Sequence, residues 1–364
     1  MRKIGKQEIE DIAVGAALLG TGGGGDPYIG KLMALQAVEE FGEITLLDVD
    51  EVPDDALIVP SAMMGAPTVM LEKAPSGEEA IVAFEKLESY LGQKVFATMP
   101  IEAGGLNSML PLALAAQLGL PVVDVDGMGR AFPELQMVTF YLDGISATPM
   151  VLADEKGNTN ILNTINNVWT ERIARAATIE MGGSVMNAIY PMSGEQVKKS
   201  GVHHILKLEE KIGRSIRLAK ENNEDPIKAI MKAAGAIELF RGKVADINRK
   251  TESGFARGVA TFEGIHSYKG ETLKVRFQNE HLLAQTETRL LCVTPDLIAV
   301  IDAETGLPIT TEGIRYGARC VVVGMPCNPK WRSEKGIETV GPKYFGYDVD
   351  YIPVEELNKQ GVTN

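Results

Sequence analysis

Residues 94–126 read KVFATMPIEAGGLNSMLPLALAAQLGLPVVDVD. Lys94–Met99 is an apolar run of strand length, and Pro121–Asp126 is a second. Between them, residues from about Asn107 to Leu118 form one long apolar stretch rich in Leu and Ala, the length of a short helix. Strand, helix, strand in this order predicts parallel pairing, because a parallel neighbour is reached only through a crossover.

The same alternation extends outward. Glu43–Asp48, Ala56–Ser61 and Leu135–Tyr141 read as strands, and Glu78–Leu91, closed by Gly92, as a helix. In residues 6–20, Ile9, Ile12, Ala13, Ala16, Ala17 and Leu19 fall near helical spacing. Gly20–Gly25 must break that helix. Asp26-Pro27 then starts another, with Asp26 as N-cap and Pro27 at the first helical position. Residues 1–165 are therefore expected to form an α/β domain with a mostly parallel sheet and helices on both faces. Beyond residue 165 the character changes. Helical stretches at Asn166–Glu180, Ser193–Lys220 and Pro226–Phe240 give way to short runs rich in Val, Ile and Thr, separated by turn signals such as Thr294-Pro-Asp296. Residues 166–364 are expected to form a β-rich domain, sandwich or barrel-like, with a helical insertion at about 193–240.

A chain of 364 residues exceeds one ordinary core, and 45% apolar with 23% charged residues is a globular composition. A net charge of −13 argues against nucleic acid and anionic membrane as partners. Three cysteines without a CxxC pair suit a reducing compartment. Glu8, Glu10 and Asp11 interrupt any leader-like apolar run, and no stretch reaches the ~20 apolar residues of a spanning helix. The expectation is a cytoplasmic homo-oligomer acting on a small molecule.

Four features can carry chemistry. The run Thr21-Gly22-Gly23-Gly24-Gly25-Asp26 follows a helix, not a strand, and lacks Gly-Lys-Ser/Thr. It is neither a dinucleotide fingerprint nor a P-loop. It suits a nest of backbone N–H groups for an anion, or a tightly packed helix–helix corner. Glu102 and Asn107 follow the Lys94–Met99 strand, at the end where open α/β sheets bind ligands, although Asn107 would also serve as a helix cap. Asp124 and Asp126, two apart, are expected on one strand face, with Gly127 letting the chain turn and Arg130 able to fork onto a substrate carboxylate. The alternative is an ion pair bracing a loop. Cys327, in a Pro- and aromatic-rich loop, is a candidate nucleophile or a small buried hydrophobe. His203 and His204 are adjacent, and no HExxH occurs, so a metal site would need scattered residues.

Six segments taken together resemble one family: TGGGGDPYIG (21–30), PIEAGG with NS (100–108), PVVDVDGMGRAFPELQM (121–137), MGGSVMNAIYPMSG (181–194), TPDLIAVIDAETGLPI with TTEGIRYG (294–317) and GPKYFGYDVDY (341–351). The chain is similar to the S-methyl thiohydantoin desulfurase family over about residues 7–351. The resemblance implies an α/β domain joined to a β-rich domain. It also implies hydrolytic removal of methanethiol from an S-methylated thiohydantoin, and functional association with hydantoinase- or oxoprolinase-type enzymes. One departure is GVHHILKL (201–208), where the family is expected to carry a Pro-Gly-Thr-type turn. If that segment touches ligand, the substrate differs. On this view Asp126 or Glu102 is the general base, a protonated Asp124 the acid, and the glycine nest or Arg130 the holder of a carboxylate. No cofactor is certain. A divalent metal would make the chain a metal-dependent hydrolase of a related cyclic amide, and the other alternative is a non-enzymatic binding protein or hydantoinase accessory.

Overall fold

The computed structural model describes residues 1–25, 27–65, 69, 73, 75–252 and 255–359. The expected N-cap Asp26 lies outside the described residues. The first part of the chain runs β1 (Arg2–Ile4), α1 (Lys6–Leu19), α2 (Pro27–Phe41), β2 (Ile44–Leu47), β3 (Leu57–Gly65), α3 (Glu79–Leu91), β4 (Ala97–Pro100), α4 (Leu110–Leu118), β5 (Val122–Val123), β6 (Val125–Asp126), β7 (Met150–Ala153), β8 (Thr159–Leu162), α5 (Asn167–Glu180) and β9 (Ser184–Ala188). It continues through β10 (Met192–Ser193), α6 (Gly194–Ser200), β11 (Val202–His203), α7 (Ile205–Glu221) and α8 (Pro226–Ala234).

The first sheet has the order β1-β2-β5-β4-β3-β9-β7-β8, with β10 on β3. The strands β2, β5, β4 and β3 are parallel, as the 94–126 unit predicts. The other pairings are antiparallel, so the sheet is mixed, not mostly parallel. A short hairpin joins β7 to β8, where Asp154 Oδ1 accepts from the Lys156 and Asn158 amides, and a hairpin can only pair antiparallel. Apolar cores lie on both faces. On β9, Val185 joins one core, and Met186 and Ala188 the other. Leu135–Tyr141 is not a strand. Turn-type bonds from Met137 to Glu134 and from Tyr141 to Val138 coil it into a one-turn helix at Thr139–Leu142, with Met137, Val138 and Phe140 still buried.

The expected helix at Pro226–Phe240 stops at Gly235, which takes a left-handed φ of 65°, and a long strand begins at Ile237. The second sheet comprises β12 (Ile237–Glu252), β13 (Phe255–Gly264), β14 (Thr272–Gln278), β15 (Glu280–Gln285), β16 (Leu290–Val293), β17 (Leu297–Asp302), β18 (Pro308–Ile309) and β19 (Arg319–Met325). Its order is β16-β15-β14-β13-β12-β19-β17-β18, antiparallel throughout. It curls until β15 lies against β17, a barrel-like closure. The apolar run LIAVID in β17 is explained by its two faces. Ile298 and Val300 fill the barrel core, whereas Leu297, Ala299 and Ile301 enter the core of the α/β part. The helix α6 packs on β3 and β10, whereas α7 packs against α1 and α8. No described helix is long and apolar enough to cross a membrane.

Candidate functional site

A cavity of about 80 Å³ opens where the ends of β3 and β4 meet β9 and the start of β15. Its lining includes Gly24, Gly25, Glu102, Asn107, Glu134, Arg175, Asn187 and Glu280. It lies beyond the carboxyl ends of the parallel strands, where open sheets leave backbone groups and loops free to meet a ligand.

Glu102 sits two residues past β4, on a turn fixed by Gly104. A Cβ on Gly104 would lie 2.6 Å from the Gly24 Cα, so the two loops touch backbone to backbone. Leu106 and Asn107 donate their amides to the Gly24 carbonyl at 2.9 and 3.3 Å. Asn107 caps no helix. Its Oδ1 accepts from the Met63 amide at 2.9 Å and its Nδ2 donates to Glu102 Oε1 at 2.6 Å. Glu102 Oε2 accepts from the Phe132 amide at 3.3 Å. Burial pushes the Glu102 carboxyl up to about 7, against the lowering pull of Asn107, Phe132 and Arg130.

Two further side chains complete the cavity. Glu280 starts β15 just after Asn279, which takes a left-handed φ of 60°, and its Oε2 has no hydrogen-bond partner. Burial, then the neighbouring Glu102, hold its carboxyl well above the ordinary range. Asn187 is fully buried on β9, and neither atom of its carboxamide has a partner. At the rim, Arg175 pairs with Glu171 and donates to the Pro133 carbonyl at 3.1 Å.

The remaining expected residues fall elsewhere. Asp126 is fully buried behind the cavity. Both its oxygens accept from the Gly129 amide, at 3.0 and 2.8 Å, and burial holds its carboxyl well above the ordinary range. Asp124 does not share a face with it. Asp124 leaves the sheet between β5 and β6, and its Oδ1 accepts from the Leu206 and Lys207 amides at the start of α7. It is a helix-capping carboxylate. Gly127 is a close-packing glycine, since a Cβ there would meet the Phe140 ring at 2.8 Å. The GVHHILKL segment forms β11 and the start of α7, and none of it lines the cavity.

Arg130 is not a clamp for a substrate carboxylate. Its Nε donates to the Ala131 carbonyl, its Nη1 to the Pro295 and Asp296 carbonyls, and its Nη2 to Thr21 Oγ1 and the His281 carbonyl. The guanidinium is fully buried and committed to protein acceptors across the seam between the sheets. The glycine loop spans the same seam. Thr21 and Gly22 carbonyls accept from the His281 and Thr311 amides at 2.7 and 2.8 Å. A Cβ on Gly23 would lie 1.9 Å from Glu280 Oε1, so that glycine makes room for the site. Of the expected nest, Gly24 and Gly25 line the cavity and Gly22 and Gly23 brace it from behind.

Cys327 is buried and its amide donates to Asp296. Burial, then Asp296, push its thiol up to about 12, which disfavours the thiolate that a nucleophile needs. Iodoacetamide at pH 8 is expected to leave Cys327 unmodified in the folded protein by mass spectrometry, and rapid alkylation would overturn that assignment. Among the described residues, no group of three or more His, Cys, Asp or Glu side chains is placed to hold a metal ion.

Asn187 and Glu280 escape sequence reasoning. Asn187 lies inside the segment MGGSVMNAIYPMSG, where the only signal is a polar residue interrupting an apolar run, and Glu280 falls in the polar stretch Gln278-Asn279-Glu280-His281 between the strand-like runs Thr272–Asn279 and Leu282–Thr286.

A protein from Chromobacterium violaceum solved by X-ray crystallography superposes with a TM-score of 0.79, at 23% identity, over 97% of this chain and 100% of that one. That likeness concerns the fold. No curated protein matches the chain. Models of the two domains of one family match consecutively, the S-Me-THD-like N-terminal domain over residues 7–164 and the S-Me-THD-like C-terminal domain over residues 165–354. With both domains matched in order across almost its whole length, the chain belongs to the S-Me-THD-like family.

Proposed function

We propose that the cavity binds a small hydantoin-like ring and hydrolyses its thioether, releasing methanethiol from an S-methyl thiohydantoin. The carrying observation is one small cavity with two buried carboxyls in different environments: Glu102 near 7 and Glu280 well above the ordinary range. Such a separation assigns a base and an acid at neutral pH. It moves the acid role from Asp124 to Glu280 and the base role to Glu102 over Asp126.

The steps balance as follows. Glu102 takes a proton from water as its oxygen bonds to the ring carbon bearing sulfur. Protonated Glu280 gives its proton to the adjacent ring nitrogen, whose double bond to that carbon opens. The tetrahedral carbon then expels methanethiolate, which collects the proton held by Glu102. The new hydroxyl returns its proton to Glu280 as it becomes the carbonyl of hydantoin. Water is consumed and no oxidant or reductant is needed.

The test is to incubate the protein with an S-methylated thiohydantoin, detect free thiol with a disulfide reagent and identify hydantoin by mass spectrometry. Equal amounts of both products support the proposal. A ligand that binds for hours and is recovered unchanged would overturn it in favour of a binding protein.

A further inference from the structure

Asn187 occupies the middle of the first sheet. Its backbone is paired on both sides, opposite Ala62 of β3 and Leu152 of β7. The strand therefore fixes the aim of its side chain, which lines the cavity. Its neighbours along β9, Met186 and Ala188, are core residues. Asn187 is fully buried with both Nδ2 and Oδ1 unpartnered, and a buried amide in that state is costly to keep, because a buried polar group without a hydrogen bond forfeits its hydration uncompensated. Glu280 Oε2 is also buried and unpartnered, and Glu280 lines the same cavity, so two polar groups with hydrogen-bonding capacity to spare face one space.

A carboxamide offers an N–H donor and a carbonyl acceptor side by side. Its complement is a group whose own N–H and C=O also point the same way. A linear secondary amide is almost always trans, with the two pointing apart. A five- or six-membered ring forces its amide cis, with the two on one edge. We propose that Asn187 is the specificity residue of this cavity and that it reads the cis-amide edge of a cyclic ureide or imide, ring N–H to Oδ1 and ring C=O to Nδ2. This rests on the cavity holding such a ring, and it fixes which ring edge faces β9. An S-methyl thiohydantoin carries that edge opposite its N1, which leaves the sulfur-bearing carbon for Glu102.

The experiment titrates the intact protein with hydantoin, with 1,3-dimethylhydantoin and with linear N-acetylglycine N-methylamide, whose amides are all secondary and trans, by calorimetry, and measures thiol release in parallel. Hydantoin is expected to bind, and both other compounds to bind at least about 10-fold more weakly. Asn187→Leu is expected to weaken hydantoin by about 10–100-fold while its ligand-free Tm holds or rises, because an unsatisfied buried amide has been replaced by an apolar group. Asn187→Asp keeps the acceptors, loses the donor, and should weaken hydantoin as well. Equal hydantoin affinity in wild type and Asn187→Leu, dimethylhydantoin binding as tightly as hydantoin, or no hydantoin binding at all would overturn the assignment. Hydantoin binding as expected without thiol release would keep Asn187 in this role and remove the desulfurase proposal. Thiol release with an unchanged KM in Asn187→Leu would do the reverse.

Discussion

Glu102→Gln is expected to reduce thiol release by about 10²–10⁴-fold, the usual worth of a positioned general base. The amide keeps the size of the side chain, and the backbone around Gly104 is held by its own contacts with Gly24. The pH dependence should change in two ways. Wild-type turnover should rise as pH passes about 7, where Glu102 loses its proton, and fall at higher pH as Glu280 loses its own. The rising limb should vanish in Glu102→Gln. Stability should respond as well. Burial holds the folded carboxyl at about 7, above the ordinary glutamate value of 4.5. The raised folded value makes this contribution fully present below about 4.5, and it is lost as pH climbs toward 7. Ionising it in the folded state costs on the order of 3 kcal/mol above that range. Denaturation at pH 5 and pH 8 should show a shallower loss of stability in Glu102→Gln than in wild type. Equal turnover and equal pH slopes would remove Glu102 from the mechanism.

Arg130→Met is expected to be the most destabilising single change at the seam, costing about 3–5 kcal/mol or preventing folding. The guanidinium makes five hydrogen bonds, four to backbone carbonyls and one to Thr21 Oγ1, and stacks 4.5 Å from the Phe132 ring. Removing it leaves buried carbonyls without donors. Arg130→Lys should fail nearly as badly, because an ammonium has three donors on one nitrogen and cannot span this fork. Urea denaturation measures both. Wild-type stability in Arg130→Met would show that the seam is held by something else.

The parallel centre of the first sheet was legible because residues 94–126 carry both strands and their crossover in one stretch. The antiparallel half was not, because β9 is supplied from far along the chain and nothing local announces its partner. Glu102 was legible because a carboxylate just past a buried strand has no obvious structural task. Asp124 and Asp126 misled for a physical reason. Their two-residue spacing implies one face only while the strand is regular, and the chain leaves the sheet at Asp124 to cap α7. Arg130 was ambiguous from the start, since a fork that fits a substrate carboxylate fits backbone carbonyls equally. The glycine loop looked too rich in glycine for a corner. It sits among Thr311, β15 and the Gly104 turn, where a Cβ on Gly22 would meet Thr311 and His281, on Gly23 Glu280, on Gly24 Gly104 and on Gly25 Leu106. Asn187 and Glu280 became visible only when the fold brought them to Glu102.

The place of β9 bears on how this chain can be divided. The family's N-terminal model ends at residue 164, yet β9 pairs between β3 and β7. A fragment cut at that border would expose two strand edges in the middle of its sheet, the arrangement that invites pairing between molecules and insoluble material. On the ribosome the same edges stay open until residue 188 has been made. The border between the family's two domain models is thus not expected to be a line along which the protein can be expressed in halves. A split placed just before Ile237, where the second sheet begins, would keep the first sheet whole but still leave Glu280 on the other piece.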